Sequence, residues 1–451
     1  MFNPSLKNNL LWLVSLLLIS FTCLAQDIVL WHSLDGPLAE KFSELVQKFN
    51  QKALQAKSTA KIVLRYKGEY ENTLASGLKV INTADAPHIL QVYEVGNLMM
   101  QAHPGAYVSL DNLPNKPSPN LEKDHFITAI GDFYQSRQHN VTGLPSLPFS
   151  AASIVLFYNK NAFKAAGLDP EKPPTSWEEF EKIAYILKKH GAKNVLASGW
   201  LVGHHIEHLG AWHNQAIATK GNGIDGDDAR LVINSDFFIN HLNKLANWYQ
   251  MGIFSLDFRH KAEQAFANNE VVILTQGANR LSHLERQIKG KFEIGVGAFP
   301  YWEAVVSEPY NTAPGGASFW ALAGHNPKDY PIIQKFFEYL ASPEVQNEWH
   351  QNTCYMPVVK GVEILAEKQN FYEKGLIGKT ARIALDSFSR RAPSQYSRGI
   401  LLPDYSNIRE IIVQEMKAAI RGNKSAAEAL ERSVVLGNAI IEGKQVEASS
   451  P

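Results

Sequence analysis

Tyr70 and Glu94 are the side chains of this 451-residue sequence whose type and placement most directly suggest chemistry. A β-branched run at 61–65 leads through Tyr66-Lys67-Gly68-Glu69-Tyr70 into an apolar-striped helix pattern, and a strand pattern at 88–93 ends in Glu94-Val95-Gly96. In open α/β sheets ligands lie beyond the carboxyl ends of strands, which is where both side chains fall. A phenol and a carboxylate there suit a small, hydroxyl-rich molecule. A second cluster, His204-His205-Ile206-Glu207-His208 with His213 beyond it, places His204 and His208 on one helix face. Its order is not the His-Glu-x-x-His of zinc proteases, so the histidines are read as rim residues of a cleft, with structural zinc the minor alternative.

Alternating strands and helices must position these groups. Apolar residues at 28–31 form a strand pattern, and Leu38, Phe42, Leu45, Val46 and Phe49 follow at helical spacing. The next unit repeats this: a strand at 62–66, a helix face of Tyr70, Leu74, Leu78 and Ile81, then a strand at 89–93. The alternation predicts an α/β chain with a parallel-rich sheet covered by helices. A proline-punctuated stretch at 144–149 precedes a strand at 154–158 and reads as a crossing between lobes. Thr175 and Glu178 stand at capping-box spacing ahead of a helix, as do Ser425 and Glu428, while Pro331 and Pro343 mark further helix starts. Strand patterns run into Ser198-Gly199-Trp200 and Thr275-Gln276-Gly277. Prolines between 299 and 314 mark the return crossing ahead of Gly315-Gly316-Ala317-Ser318, and Tyr355-Met356-Pro357-Val358 marks a third.

Composition narrows the class. Lys7, an apolar run at 10–18 and small residues to Ala25 read as a removed secretory signal, too short to span a bilayer. Of two cysteines, Cys23 leaves with that signal, so Cys354 has no internal partner. About 425 mature residues exceed the ~250–300 that one core usually supports, which predicts two lobes. Basic and acidic residues balance at 44 each, against nucleic-acid binding. No Gly-x-Ser-x-Gly elbow and no acid partner for Glu94 stand out, so no catalytic residue is assigned and an enzyme is not expected.

Longer motifs carry a family resemblance. Leu30-Trp31-His32-Ser33, Tyr66-Lys67-Gly68-Glu69-Tyr70, Ala86-Pro87-His88-Ile89-Leu90-Gln91-Val92-Tyr93-Glu94-Val95-Gly96, Phe157-Tyr158-Asn159-Lys160, Ala166-Gly167-Leu168-Asp169-Pro170, Gly315-Gly316-Ala317-Ser318 and Glu348-Trp349-His350-Gln351 stand in collinear order over nearly the whole mature chain. They resemble the periplasmic sn-glycerol-3-phosphate-binding proteins of Ugp-type ABC importers. The resemblance implies a maltose-binding-protein-like, two-lobe (Venus flytrap) fold with three hinge crossings: signal 1–25, lobe 1 from 26–147 plus 301–355, lobe 2 from 148–300 plus 356–446, and a disordered tail at 447–451. It implies a periplasmic receptor without cofactor or metal, whose partners are a glycerol-phosphate-class ligand and ABC permease subunits in the inner membrane.

The same resemblance implies ligand contacts at Tyr70, Glu94, Trp200, Gly316, Tyr355 and Arg409. An arginine fork clamps phosphate, glycine lets backbone N–H groups approach its oxygens, and tryptophan packs on the carbon edge of a polyol. Three positions depart from the family pattern: Ala152 and Gly277 stand where it has serines, and Gly203 where it has a second tryptophan. These changes leave free glycerol 3-phosphate and larger glycerophosphodiesters as candidate ligands, with Ser150, Ser153, Thr275, Asn279 and Arg280 as residues able to compensate. An oligosaccharide or polyol receptor of the same superfamily, and more remotely a periplasmic phosphodiester- or glycan-active enzyme, are the alternatives.

Overall fold

Among the described residues, which are 27–56, 60–115, 118–137 and 143–444 of this computed structural model, ten strands form two sheets. The expected signal at 1–25 and tail at 447–451 lie outside the described residues. In chain order the strands are β1 (Ile28–His32), β2 (Ile62–Tyr66), β3 (Ile89–Tyr93), β4 (Tyr107–Val108), β5 (Leu147–Ala152), β6 (Ile154–Asn159), β7 (Asn194–Ser198), β8 (Val271–Gly277), β9 (Ile294–Ala298) and β10 (Gly315–Leu322). The first sheet runs β2-β1-β3-β10-β4, with β5 also on β10, and the second runs β7-β8-β6-β9.

Both sheets are mixed, not parallel-rich as the alternation suggested. β1 pairs parallel with β2 and β3, and β7 with β8, and helices lie between the paired strands along the chain. β10 runs antiparallel to β3, β4 and β5, and β6 antiparallel to β8 and β9. β6 and β10 each enter their sheet directly from the other lobe, so no helical crossover sets their direction.

The chain stays in the first sheet through Ala152, beyond the 147/148 boundary expected from the prolines, and joins the second at Ile154. It returns between β9 and β10. The three crossings lie side by side: Gly315 pairs with Ala152, and the Met356 N–H donates to the Ala151 carbonyl at 2.8 Å.

The first helix, Gly36–Gln55, buries Leu38, Phe42, Leu45, Val46 and Phe49, the apolar stripe of the sequence. Phe42 stacks on Phe319 of β10 with ring centroids 5.4 Å apart and meets Phe149 of β5 at 5.5 Å. Burying such a ring contributes roughly 1.5–3 kcal/mol and locks the helix over the strands that reach the crossings. The helix Tyr70–Val80 packs on β3 at Gly77, where a Cβ would stand 2.4 Å from the Leu90 side chain. That close approach holds Tyr70 next to the end of β3.

The capping box at Ser425 and Glu428 is formed. The other cap is one residue later than the pattern suggested: Ser176 accepts from the Glu179 N–H at 3.2 Å, and Thr175 donates its N–H and hydroxyl to Glu179, so Glu178 is not the partner. Among the described residues no helix is long and apolar enough to cross a membrane.

Candidate functional site

A cavity with ≈ 230 Å³ of room for the centres of water-sized groups opens between the two sheets. Tyr70, Glu94, Ala152, Trp200, Gly277, Gly316, Tyr355 and Arg409 all line it. They reach it from separate elements: Glu94 from the turn after β3, Tyr70 from the first turn of its helix, and Ala152, Gly316 and Tyr355 from the crossings. Trp200 and Gly277 follow β7 and close β8, and Arg409 projects from the helix Tyr405–Ile420.

Glu94 and Arg409 form the centre of the site. The Gly316 N–H donates to Glu94 Oε2 at 3.2 Å, and Arg409 Nη2 approaches Glu94 Oε1 at 3.4 Å. Glu207 grips the other edge of Arg409: Nε donates to Oε1 at 2.7 Å, Nη2 donates to Oε2, and the Tyr405 hydroxyl donates to Oε1 at 3.0 Å. Burial raises the Glu94 carboxyl above its ordinary value, an effect that Arg409 opposes and Glu207 reinforces. Burial works against the Arg409 charge, yet Glu207 and then Glu94 hold the guanidinium well above its ordinary value. The Arg409 cation, which the family resemblance assigns to the ligand phosphate, is paired here with two carboxylates.

Tyr70 and Tyr355 meet hydroxyl to hydroxyl at 3.2 Å. Behind them Tyr70 stacks on Tyr93 at 5.6 Å and Tyr355 on Trp349 at 5.6 Å, so both phenols are rigidly placed. Trp200 reaches the cavity, but the Arg259 guanidinium lies over its ring at 4.2 Å, covering one of the faces expected to meet a polyol. Gly203 lines the cavity, but the space beside it is not empty: a Cβ there would stand 3.3 Å from Trp200 Cβ and 4.0 Å from Glu207 Oε2. At Gly277 a Cβ would stand 2.4 Å from Asn279 Oδ1. Of the compensating residues, Ser153, Asn279 and Arg280 line the cavity, whereas Ser150 and Thr275 are buried behind it.

Gly316 sits at φ +121°, and a Cβ there would stand 2.0 Å from the Ser150 carbonyl oxygen. Gly316→Ala is therefore expected to lower stability by about 1–3 kcal/mol in urea melts. Its neighbour Gly315 has ordinary φ, and a Cβ there would stand 3.3 Å from the Ala152 carbonyl oxygen, so alanine there should cost less than at Gly316.

The sequence reading missed most of the charged wall. Arg280 donates from Nε to Glu263 Oε1 and from Nη1 to Asp35 Oδ1, both at 2.7 Å, and Arg259 bonds Glu71 at 2.7 Å and also pairs with Glu69. Arg280–Asp35, Arg259–Glu69, Arg259–Glu71, Arg286–Glu40 and Arg409–Glu94 set acids of the first-sheet lobe against bases of the second, while Glu263 belongs to the second lobe itself. Glu207, noted only as a member of the histidine cluster, was not recognised as the partner of Arg409, which lies 202 positions away; it stands in a π-helical turn, Gly203–His208, and such turns often mark functional sites. His204, His205 and His208 are buried rather than on an open rim, and each has a ring nitrogen hydrogen-bonded within the protein. Among the described residues no group of three or more His, Cys, Asp or Glu side chains is arranged to hold a metal ion.

Comparison with known proteins places this arrangement. Residues 44–372 match the family model described as bacterial extracellular solute-binding protein. The sn-glycerol-3-phosphate-binding periplasmic protein UgpB of Yersinia pseudotuberculosis is 34% identical over 445 residues, spanning 98% of each chain. Its namesake from Escherichia coli O6:K15:H31 is 34% identical over 416 residues, 92% of each. Among solved structures, UgpB of Mycobacterium tuberculosis in complex with glycerophosphocholine superposes with a TM-score of 0.75 at 18% identity, covering 93% of this chain and 99% of that one. The cyclic α-maltosyl-1,6-maltose-binding protein of Arthrobacter globiformis gives 0.70 at 18% identity, covering 93% and 100%. At these identities the two structures establish the two-lobe fold.

Proposed function

Because this chain belongs to the bacterial extracellular solute-binding proteins, and among them to the sn-glycerol-3-phosphate-binding periplasmic proteins, we propose that it is the ligand-capturing component of an ABC importer. Its ligand is of the glycerol-phosphate class, taken up in the periplasm and handed to a membrane permease. One observation carries the reading: Arg409, Glu94 and the Gly316 N–H converge with the Tyr70 and Tyr355 hydroxyls in one cavity between the lobes. The guanidinium meets phosphate, the carboxylate accepts from glycerol hydroxyls, and the phenols orient them. Ligand contact with both lobes favours the closed form by differential affinity, which is the signal a permease can read.

Within that class the glycerophosphodiester is favoured by a specific feature. The cavity carries Asp35, Glu69, Glu94, Glu207 and Glu263 against Arg259, Arg280 and Arg409, and each arginine is already paired with carboxylates. Such a wall suits a monoanionic diester better than a dianionic monoester, and Gly203 adds no side chain to the cavity it lines. An oligosaccharide receptor would present free aromatic faces, whereas Tyr70, Tyr355 and Trp200 each have one covered.

Calorimetric titration with sn-glycerol 3-phosphate, glycerophosphocholine and maltose tests this. Binding near micromolar, about −8 kcal/mol, is expected for the phosphorylated ligands, with the diester tighter and maltose silent. Tight maltose binding with no response to either phosphate would overturn the assignment. Glycerophosphocholine recovered intact after incubation distinguishes a receptor from a hydrolase.

A further inference from the structure

We infer that His204 is a ligand-binding residue of this cleft, a neutral imidazole whose Nε2–H is fixed as a donor into the cavity by a one-way hydrogen-bond chain starting at Trp302. The inference rests on the reading of the cleft as a glycerol-phosphate-class site.

An indole N–H can only donate, so the direction of the chain is set at its far end. Trp302 Nε1 donates to His241 Nδ1 at 3.1 Å. With Nδ1 accepting, neutral His241 carries its proton on Nε2 and donates to His205 Nδ1 at 2.9 Å. His205 in turn is protonated on Nε2 and donates to Ser198 Oγ at 2.6 Å. The Ser198 hydroxyl then donates to Thr275 Oγ1 at 2.8 Å, and the Thr275 hydroxyl donates to His204 Nδ1 at 3.1 Å. His204 is thereby left with its proton on Nε2.

Ser198, His204, His205, His241 and Thr275 are all buried, so no water competes to reverse the order. Burial also holds the His204, His205 and His241 imidazoles below their ordinary value. The charged and titratable groups facing His204, namely His205, His208 and Arg409, push it the same way. Although His204 is almost wholly buried, its Nε2 keeps access to the cavity that the residue lines, in contrast to His208 Nε2, which is shut away without a partner. The donor needs an acceptor, and a phosphate or phosphodiester oxygen beside Arg409 supplies one. Trp302, Ser198 and Thr275 are positioning residues, since they act through His204.

Two measurements on the full mature chain decide the matter. Titration with sn-glycerol 3-phosphate and with glycerophosphocholine should show His204→Phe weakening whichever ligand binds by about 10- to 100-fold, the range for a hydrogen bond to a charged group. Long-range 1H–15N NMR of protein labelled at histidine should show His204 protonated on Nε2 and that resonance shifting on ligand addition. Trp302→Phe should convert the single tautomer to a mixture with a smaller loss of affinity. Wild-type binding matched within twofold by His204→Phe, a His204 proton on Nδ1, or an Nε2–H resonance blind to bound ligand each overturns the inference while leaving the reading of the cleft intact. Wild-type protein that binds neither ligand overturns both. Should His204→Phe fail to fold, the wild-type spectra alone decide.

Discussion

Arg280→Met is expected to destabilise the protein by about 3–5 kcal/mol at neutral pH, because it leaves the Glu263 carboxylate buried without its partner. Glu263 is 1% exposed at its side chain, and Arg280 meets both of its oxygens, at 2.7 and 2.9 Å. Burial alone would raise that carboxyl, but hydrogen bonds from His260 and Arg280 and the Arg280 charge bring it down to about 2. The pH dependence follows from this sign. A folded-state value below the ordinary 4.5 means that the ionised carboxylate stabilises the fold above pH 4.5, and that this contribution fades as pH falls toward 2. In the variant the carboxylate has lost its cation and takes up a proton more readily. Urea melts should therefore show a gap between wild type and Arg280→Met that is widest near pH 7 and narrows below about pH 4.5. A gap independent of pH would show that Arg280 acts through packing instead. The same substitution removes the bond to Asp35 across the cleft, so the two lobes should also separate more easily, read as a larger radius of gyration in X-ray scattering.

Arg409→Met should abolish binding of phosphorylated ligands, with losses of about 100-fold or more, since it deletes a charge-assisted fork at the centre of the cavity. Arg409→Lys keeps the charge but cannot grip Glu207 along two N–H groups while also reaching Glu94, so an intermediate loss is expected. Stability should fall as well. Without the guanidinium, Glu94 and Glu207 are two acids left in a buried site without their shared cation. Replacing Glu207 by glutamine in the Arg409→Met background should recover part of that stability and none of the affinity. Unchanged titration of glycerophosphocholine by Arg409→Met would remove the phosphate from this end of the cleft.

The pairs behind these predictions also mark how far a linear reading reaches. Strand and helix periods, the Ser425 cap and the placement of Tyr70 and Glu94 are encoded within a few residues, and the structure contains each of them. Family motifs extended this to Gly316, Tyr355, Trp200 and Arg409, which do gather in one cavity. Strand direction was not readable in this way, because β6 and β10 take theirs from the lobe they enter rather than from a local crossover.

Charge state was less readable still. Arg409 meets partners 202 and 315 positions away, and Arg280 reaches Asp35 across 245. No local pattern distinguishes an arginine free to bind phosphate from one already neutralised by carboxylates, and nothing near Glu207 in the sequence points to its pairing with Arg409. The order of residues thus settled which elements form and which groups stand at their ends, since those depend on neighbours along the chain. Tertiary packing alone decided which charges are paired and which histidines line the cavity, since burial and partner geometry are properties of space.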